Sequence, residues 1–289
     1  MNTVILQFQK TGRLRRFIPQ KSKKNNGISL VRIQRLQKTK KTAVRAVFTP
    51  LISPFSSDII RKKLRKGRVS VENFIFITEL IGTGAFAVSG AIVSIRKGLD
   101  IFGVIFCGII TALGGGVIRD ILLSNLPPVM FCKYIYAVLA VFFSVATFLF
   151  ARRYQMVFLN KGEYIDNINN FFDAVGLGSF TIIGIQTGLA MGYGDNAFFV
   201  LFLGMTTGCG GGILRDILVR EIPFVLSKRI YAIASLLGGI IYYLMFVMLN
   251  IDEFIAVICG VAFIFLTRVL SSKFRWNLPK ALRDNDDSQ

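Results

Sequence analysis

The sequence Gly-Gly-Gly-x-x-Arg-Asp occurs twice in this chain. The glycines and charged residues of this doubled sequence are the candidates for a functional site. Its two copies are separated by an offset of 96 residues, and each lies inside an apolar run. Ionisable side chains in such runs are costly, so they pair with one another or line a water-filled path. Three successive glycines also cost about 1 kcal/mol each relative to alanine in a helix. The pattern indicates a polar path through a membrane, with candidate residues Gly114, Gly115, Gly116, Arg119, Asp120, Gly210, Gly211, Gly212, Arg215 and Asp216.

The glycine triplets have two interpretations. In the first, they kink or unwind the second and fifth membrane spans, so that backbone carbonyls and the N-terminus of a half-helix face the path. In the second, they only let two helices pack closely, as small residues commonly do in membranes. Because both triplets are followed by Arg-Asp, we predict the first, with broken second and fifth helices. The Arg-Asp residues themselves either line the path or form buried structural pairs.

Two further acidic residues, Glu79 and Asp173, occupy matching positions at an offset of 94 residues near the predicted starts of the first and fourth spans. At opposite faces of the membrane, these carboxylates would attract cations to both mouths of a path. The alternative is that each carboxylate caps the start of a helix against its dipole. Both residues are therefore included in the predicted path.

The elements that must position these residues are membrane spans. The chain of 289 residues is 53% hydrophobic and 18% charged, against about 25% charged in an ordinary soluble domain. A span needs about 20 mainly apolar residues. We predict an all-α membrane protein with seven spans, at about 74–95, 101–123, 131–150, 171–191, 197–219, 229–249 and 252–270.

The first three spans and the next three match as two copies of one unit. Three spans are an odd number, so consecutive copies enter the bilayer from opposite sides, and the repeat is inverted. The expected architecture is two inverted three-helix repeats plus one helix, 3+3+1. The predicted divisions are a basic leader at 1–70, the first repeat at 71–160, the second repeat at 168–250, the seventh helix at 251–271 and a polar tail at 272–289.

The net charge of +19 belongs almost entirely to the leader. Residues 1–70 hold 19 Lys and Arg against the single acid Asp58. Such a segment, without a long apolar core, is typical of an organellar transit peptide. The alternative is a basic tail that touches anionic lipid. Nucleic-acid binding is not expected, because no aromatic platform accompanies the charges.

The residue types also limit the chemistry. The chain has no histidine, and its four cysteines show no metal-binding or redox spacing. No phosphate-binding loop or nucleophile elbow is present. We therefore expect neither an enzyme nor a bound cofactor or metal.

The basic residues of the short loops predict the orientation. With the first span starting outside, the inner loops collect Arg96, Lys97, Arg152 and Arg153, and the outer loops keep few basic residues. The positive-inside rule therefore favours an N-out, C-in core. An organellar inner membrane is expected rather than a bacterial-type plasma membrane, because a long basic leader precedes the spans.

The doubled Gly-Gly-Gly-x-x-Arg-Asp sequence on the second and fifth of seven spans resembles the trimeric intracellular cation (TRIC) channel family. The match is to its prokaryotic branch, which is also called the glycine-transporter domain family. The resemblance covers about residues 72–270. It implies a homotrimer in the lipid bilayer in which each protomer has its own pore beside the second and fifth helices, with potassium and other monovalent cations as permeants.

Two alternatives remain open beside this potassium channel. The first is a secondary transporter that carries glycine or a similar small amino acid. The second is a non-conducting structural membrane protein whose glycines only pack helices.

Overall fold

The computed structural model describes residues 68–227 and 230–274, and all regular structure in these ranges is helical. The predicted leader up to residue 67 and the polar tail beyond residue 274 lie outside the described residues. The seven longest helices, in chain order, are α1 Arg68–Arg96, α2 Ile101–Leu122, α3 Tyr134–Arg153, α4 Gly162–Ala190, α5 Ala197–Leu218, α6 Ala232–Tyr243 and α7 Glu253–Lys273.

Six of these helices are long and apolar enough to cross a membrane, which confirms the all-α membrane fold class. The exception is α6, which continues as one π-helical segment, Leu244–Met248. The resulting apolar helix, Ala232–Met248, is shorter than the other six. The predicted span at 229–249 is therefore present as a helix but falls short of the length of its neighbours.

The glycine triplets do not break their helices. α2 is helical from Ile101 to Leu122, and α5 is helical from Ala197 to Leu218, through all six glycines. The prediction that the second and fifth helices unwind is wrong, because close packing around the triplets compensates for the low helix propensity of glycine.

Both of these helices begin at a capping residue. The Asp100 carboxylate accepts a 2.8 Å hydrogen bond from the backbone N–H of Gly103 at the start of α2. At the matching place in α5, the Asn196 side chain accepts from the N–H of Phe199 at 3.0 Å. Each cap satisfies one of the free N–H groups of a helix start, so the two helices start in the same register of the repeat.

Four helices, α1, α2, α4 and α5, form the centre of the bundle. α1 packs on α2 and α4 on α5 within the two halves, while α1 on α4 and α2 on α5 join the halves. α3 lies against α1 and α2, and α6 lies correspondingly against α4 and α5. α7 packs on α4 and α6 and has no counterpart in the first half.

α1 and α4 start well before the apolar runs that predict them. The predicted start of the fourth span is residue 171, but α4 begins at Gly162. Its added turns are polar in sequence and yet hold the buried residues Ile165 and Asn169. An apolar window misses such turns, because packing rather than hydropathy makes them helical.

Candidate functional site

The middle glycines mark the point where α2 and α5 cross. A methyl group added at Gly115 would collide with the backbone carbonyl oxygen of Thr207 on α5. A methyl group added at Gly211 would collide with the carbonyl oxygen of Thr111 on α2. The contact is thus reciprocal and relates the two halves by approximate twofold symmetry. Only glycine allows two helix backbones to approach this closely.

The first glycine of each triplet repeats this symmetry. A side-chain carbon at Gly114 would lie 2.5 Å from Cδ1 of Leu214, and one at Gly210 would lie 2.9 Å from Cδ1 of Ile118. These contacts correspond to the packing interpretation of the triplets.

Arg215 is the centre of a fully buried ionic cluster in the second half. Its guanidinium donates to Asp173 at 2.7 Å and to Asp216 at 2.8 Å. It also donates to the hydroxyl of Ser89 on α1, at 2.6 Å. The side chains of Arg215 and Asp173 are 0% exposed. A guanidinium held this tightly between two carboxylates is a structural ion pair.

Two residues that the sequence analysis missed complete this cluster. Nη2 of Arg268, on α7, lies 3.6 Å from Oδ2 of Asp173, and its guanidinium carbon lies 4.4 Å from the ring centroid of Tyr231. Arg268 is the one charged residue within the apolar run 254–272, which is the signal that could have identified it. Among the described residues, two guanidinium groups face two carboxylates, Asp173 and Asp216, so their formal charges cancel.

The first half holds the corresponding but looser cluster. Nε of Arg119 donates to Asp120 at 2.9 Å, whereas Nη1 of Arg119 is 4.0 Å from Oε1 of Glu79. The hydroxyl of Tyr136 donates to the Glu79 carboxylate. The Glu79 side chain is 13% exposed, in contrast to Asp173. Counted over the part of the chain that the structure describes, one guanidinium faces two carboxylates here, which gives this cluster a formal charge of −1.

The two aspartates of the doubled sequence also fix the chain after each helix. Oδ2 of Asp120 accepts from the N–H of Val129, and Oδ2 of Asp216 accepts from the N–H of Phe224, both at 2.8 Å. These acceptors hold the starts of the short helices Val129–Cys132 and Phe224–Ser227. Each Arg-Asp pair therefore joins its own helix end to the segment that follows.

Glu79 and Asp173 lie about three turns inside α1 and α4, because both helices start earlier than the sequence predicts. The alternative that they cap helix starts is therefore wrong. Asp173 is completely buried in the protomer. The Glu79 side chain keeps some exposure, and each of the two carboxylates lies beside the arginine of the doubled sequence in its own half.

Apolar spans that enclose two related ionic clusters define an integral multi-pass membrane protein. The family model for glycine transporters matches the chain twice, at residues 76–152 and 170–247. The chain belongs to this family, the prokaryotic-type branch of the TRIC family, which confirms the resemblance. It is a family of membrane transport proteins, so the prediction that the chain is not an enzyme is also confirmed.

Individual relatives agree with this assignment. A membrane protein of Vibrio cholerae serotype O1 is 34% identical over 207 residues, covering 72% of this chain and 82% of the relative. A prokaryotic TRIC channel, solved in 0.5 M KCl, is 40% identical, and the match covers 72% of this chain and 100% of that one, with a TM-score of 0.62. The TRIC trimeric intracellular cation channel orthologue from Rhodobacter sphaeroides is 30% identical over 70% of this chain and 98% of its own, with a TM-score of 0.63.

Proposed function

We propose that this protein is a channel for monovalent cations, potassium among them, and that it works as a homotrimer with one pore in each protomer. The observation that carries the proposal is the 40% identity to a prokaryotic TRIC channel over the whole of that chain. The solved orthologue from Rhodobacter sphaeroides is described as trimeric and as a cation channel.

The crossing of α2 and α5 is the proposed centre of the path. It brings the backbone of both helices to the middle of the bundle, and one ionic cluster lies beyond the glycines in each half. Charged groups at such depth pair with one another or line water, and one residue can do both. The proposed path residues are Gly114, Gly115, Gly116, Gly210, Gly211, Gly212, Arg119, Asp120, Arg215, Asp216, Glu79 and Asp173.

The test of this function is flux through liposomes that contain the purified full-length chain. Potassium-driven dye quenching and uptake of labelled glycine are measured in the same preparation. We expect rapid potassium flux without saturable glycine uptake. Saturable glycine uptake with little ion leak would contradict the channel and indicate a glycine carrier instead. If a folded protein carried neither solute, the remaining function would be a structural one.

Within this path, we propose that Glu79 is the carboxylate that attracts the cation. It belongs to the cluster with a formal charge of −1, and its side chain is partly exposed. Asp173 has the same place in the second half, but Arg215 and Arg268 neutralise its surroundings. A cation gains electrostatic free energy near the first cluster and little near the second.

Replacing Glu79 with glutamine is expected to lower potassium flux roughly tenfold. This change corresponds to about 1.4 kcal/mol less favourable free energy for the potassium ion beside residue 79. The amide oxygen can still accept from Tyr136, so the fold should persist. The comparison variant is Asp173→Asn, which removes a charge from the neutral cluster at the matching position; it is expected to lower the melting temperature and to reduce the flux per folded protein less than Glu79→Gln does. Equal flux from the Glu79→Gln variant and the parent protein would remove Glu79 from the path.

The oligomer, the orientation and the compartment are parts of the same proposal. Native mass spectrometry of the detergent-extracted protein should give three copies of the chain. Protease protection of a C-terminal tag should place the C-terminus inside, as the loop charges predict. The transit peptide and the organellar membrane stay predictions, because residues 1–67 lie outside the described structure. The bacterial relative favours a plasma membrane instead.

A further inference from the structure

The last glycine of the second triplet, Gly212, faces a group of polar atoms that we call the Gly212 cradle. A side-chain carbon built on Gly212 would lie 3.1 Å from the hydroxyl of Tyr231. It would lie 3.8 Å from Nη2 of Arg215 and 3.8 Å from Oδ1 of Asp173. These atoms come from three helices or helix starts, and the bare Cα of Gly212 forms the floor beneath them.

Two of the three polar atoms of the cradle, Tyr231 Oη and Arg215 Nη2, make no hydrogen bond within the described residues, whereas Asp173 Oδ1 accepts from Arg215 Nη1. Among the described residues, six buried side-chain polar atoms make no hydrogen bond, and four of these are Arg215 Nη2, Tyr231 Oη, Asp173 Oδ2 and Arg268 Nε. A buried polar group without a partner costs free energy, so such groups are normally satisfied by protein or by ordered water. Two such atoms face Gly212, and the unpartnered Oδ2 belongs to the same Asp173 carboxylate as the Oδ1 atom of the cradle. This arrangement indicates that the cradle holds a ligand.

The first half of the protein fills the matching place with a side chain. Cε of Met130 would lie 2.7 Å from a side-chain carbon at Gly116, and the Tyr136 hydroxyl bonds to Glu79. The N–H groups of Val129 and Phe224 bond to matching aspartates, so the counterpart of Met130 is the next residue after Phe224, Val225. Valine is too short to reach over its glycine as methionine does, and the cradle is a feature of the second half alone.

The lining of the cradle selects the chemistry of its ligand. Arg215 Nη2 can only donate, Asp173 Oδ2 can only accept, and the Tyr231 hydroxyl can do either. The carboxylates of Asp173 and Asp216 repel an anionic ligand, and the guanidinium groups of Arg215 and Arg268 repel a cationic one. Because these charges cancel, the cluster favours a small neutral molecule that both donates and accepts.

We propose that the Gly212 cradle binds one water molecule, which bridges Asp173 on α4, Arg215 on α5 and Tyr231 at the start of α6. The water donates to Asp173 Oδ2 and accepts from Arg215 Nη2, and it pairs with the Tyr231 hydroxyl. Buried waters typically make about three such hydrogen bonds. This site holds three helices together, and it does not depend on whether the protein conducts ions.

The test is a structure of the full-length protein in lipid nanodiscs, determined by electron cryomicroscopy at a resolution that shows ordered water. We expect density within hydrogen-bonding distance of Arg215 Nη2, Asp173 Oδ2 and the Tyr231 hydroxyl. In a Val225→Met variant the new side chain should cover Gly212, as Met130 covers Gly116, and the density should be lost. If that variant does not fold, Gly212→Ala serves the same purpose, with Gly116→Ala as the matched control.

Thermal unfolding gives a second measurement. Tyr231→Phe should lower the melting temperature of the parent protein, because the water loses a partner. In the Val225→Met background, where Tyr231 has already lost the water, the same change should raise the melting temperature. Absence of the density in the parent protein, or a parent melting temperature that Tyr231→Phe leaves unchanged or raises, would overturn the proposal.

Discussion

Replacing Arg215 with methionine is expected to abolish the accumulation of folded protein. The side chain is completely buried, and its removal leaves Asp173 and Asp216 in the interior with Arg268 as the remaining cationic neighbour, 3.6 Å from Asp173. Breaking a buried ion pair at one partner typically costs about 3–5 kcal/mol, which is a large part of the stability of a domain. The measurement is the yield and the melting temperature of the detergent-extracted protein by fluorescence-detected size exclusion.

The matched control for this change is Arg119→Met in the first half. Arg119 makes one close ion pair, to Asp120, and lies 4.0 Å from the partly exposed Glu79. The loss should therefore be clearly smaller than for Arg215. Adding Asp173→Asn to Arg215→Met should restore part of the loss, because it removes one of the stranded charges. Equal losses of stability in Arg215→Met and Arg119→Met would contradict the expectation that the tighter packing of the second cluster makes its arginine more important for stability.

The second large effect is expected from alanine at the crossing. Gly211→Ala places a methyl group against the carbonyl oxygen of Thr111, and Gly115→Ala places one against that of Thr207. Backbone atoms of a helix cannot rotate away as a side chain can, so α2 and α5 must separate. Overpacking of this kind costs about 1–3 kcal/mol or more. We expect each variant to lower the melting temperature and to reduce potassium flux together.

The control is a glycine whose neighbours leave room for a methyl group. Among the described residues, a side-chain carbon at Gly162, the first residue of α4, would approach only Nη2 of Arg96, at 4.0 Å. Alanine there meets no steric conflict and gains part of the helix propensity that alanine has over glycine. If Gly162→Ala raises the melting temperature and Gly211→Ala lowers it, the loss of stability in Gly211→Ala comes from the contact between α2 and α5. A tolerated Gly115→Ala with normal flux would contradict the crossing.

The sequence predicts most of the framework for clear physical reasons. Hydropathy locates the apolar helices, and the doubled sequence pairs α2 with α5. Their starts are also readable, because Asp100 and Asn196 cap them. The family match at residues 76–152 and 170–247 includes the same two regions. These features depend on neighbouring residues or on the internal repeat, so both can be recognised in the sequence without knowing which distant residues are in contact.

The features that the sequence does not predict depend on contacts between distant residues. The cost of glycine in a helix suggests broken helices, but the reciprocal packing against Thr111 and Thr207 holds both helices intact. The early start of α4 moves Asp173 from a predicted membrane face to a buried cluster. Likewise, only the packed structure shows that Val225 does not fill the space that Met130 fills, which is why the Gly212 cradle has no sequence signature.

The reciprocal glycine contact makes the crossing of α2 and α5 a pivot. Neither helix carries a side chain there, so a scissor motion about this point changes the spacing of the helix ends and leaves the central contact intact. Buried contacts such as that between Arg215 and Ser89 oppose this motion, and an exposed pair adds to them at the helix ends, where Lys97 after α1 meets Glu221 after α5 at 2.7 Å, with side chains 41% and 36% exposed. Exposed pairs of this kind contribute about 0–1 kcal/mol and weaken with salt. A rise in ionic strength at that face of the membrane would thus remove this small contribution and leave the buried contacts between the halves unchanged.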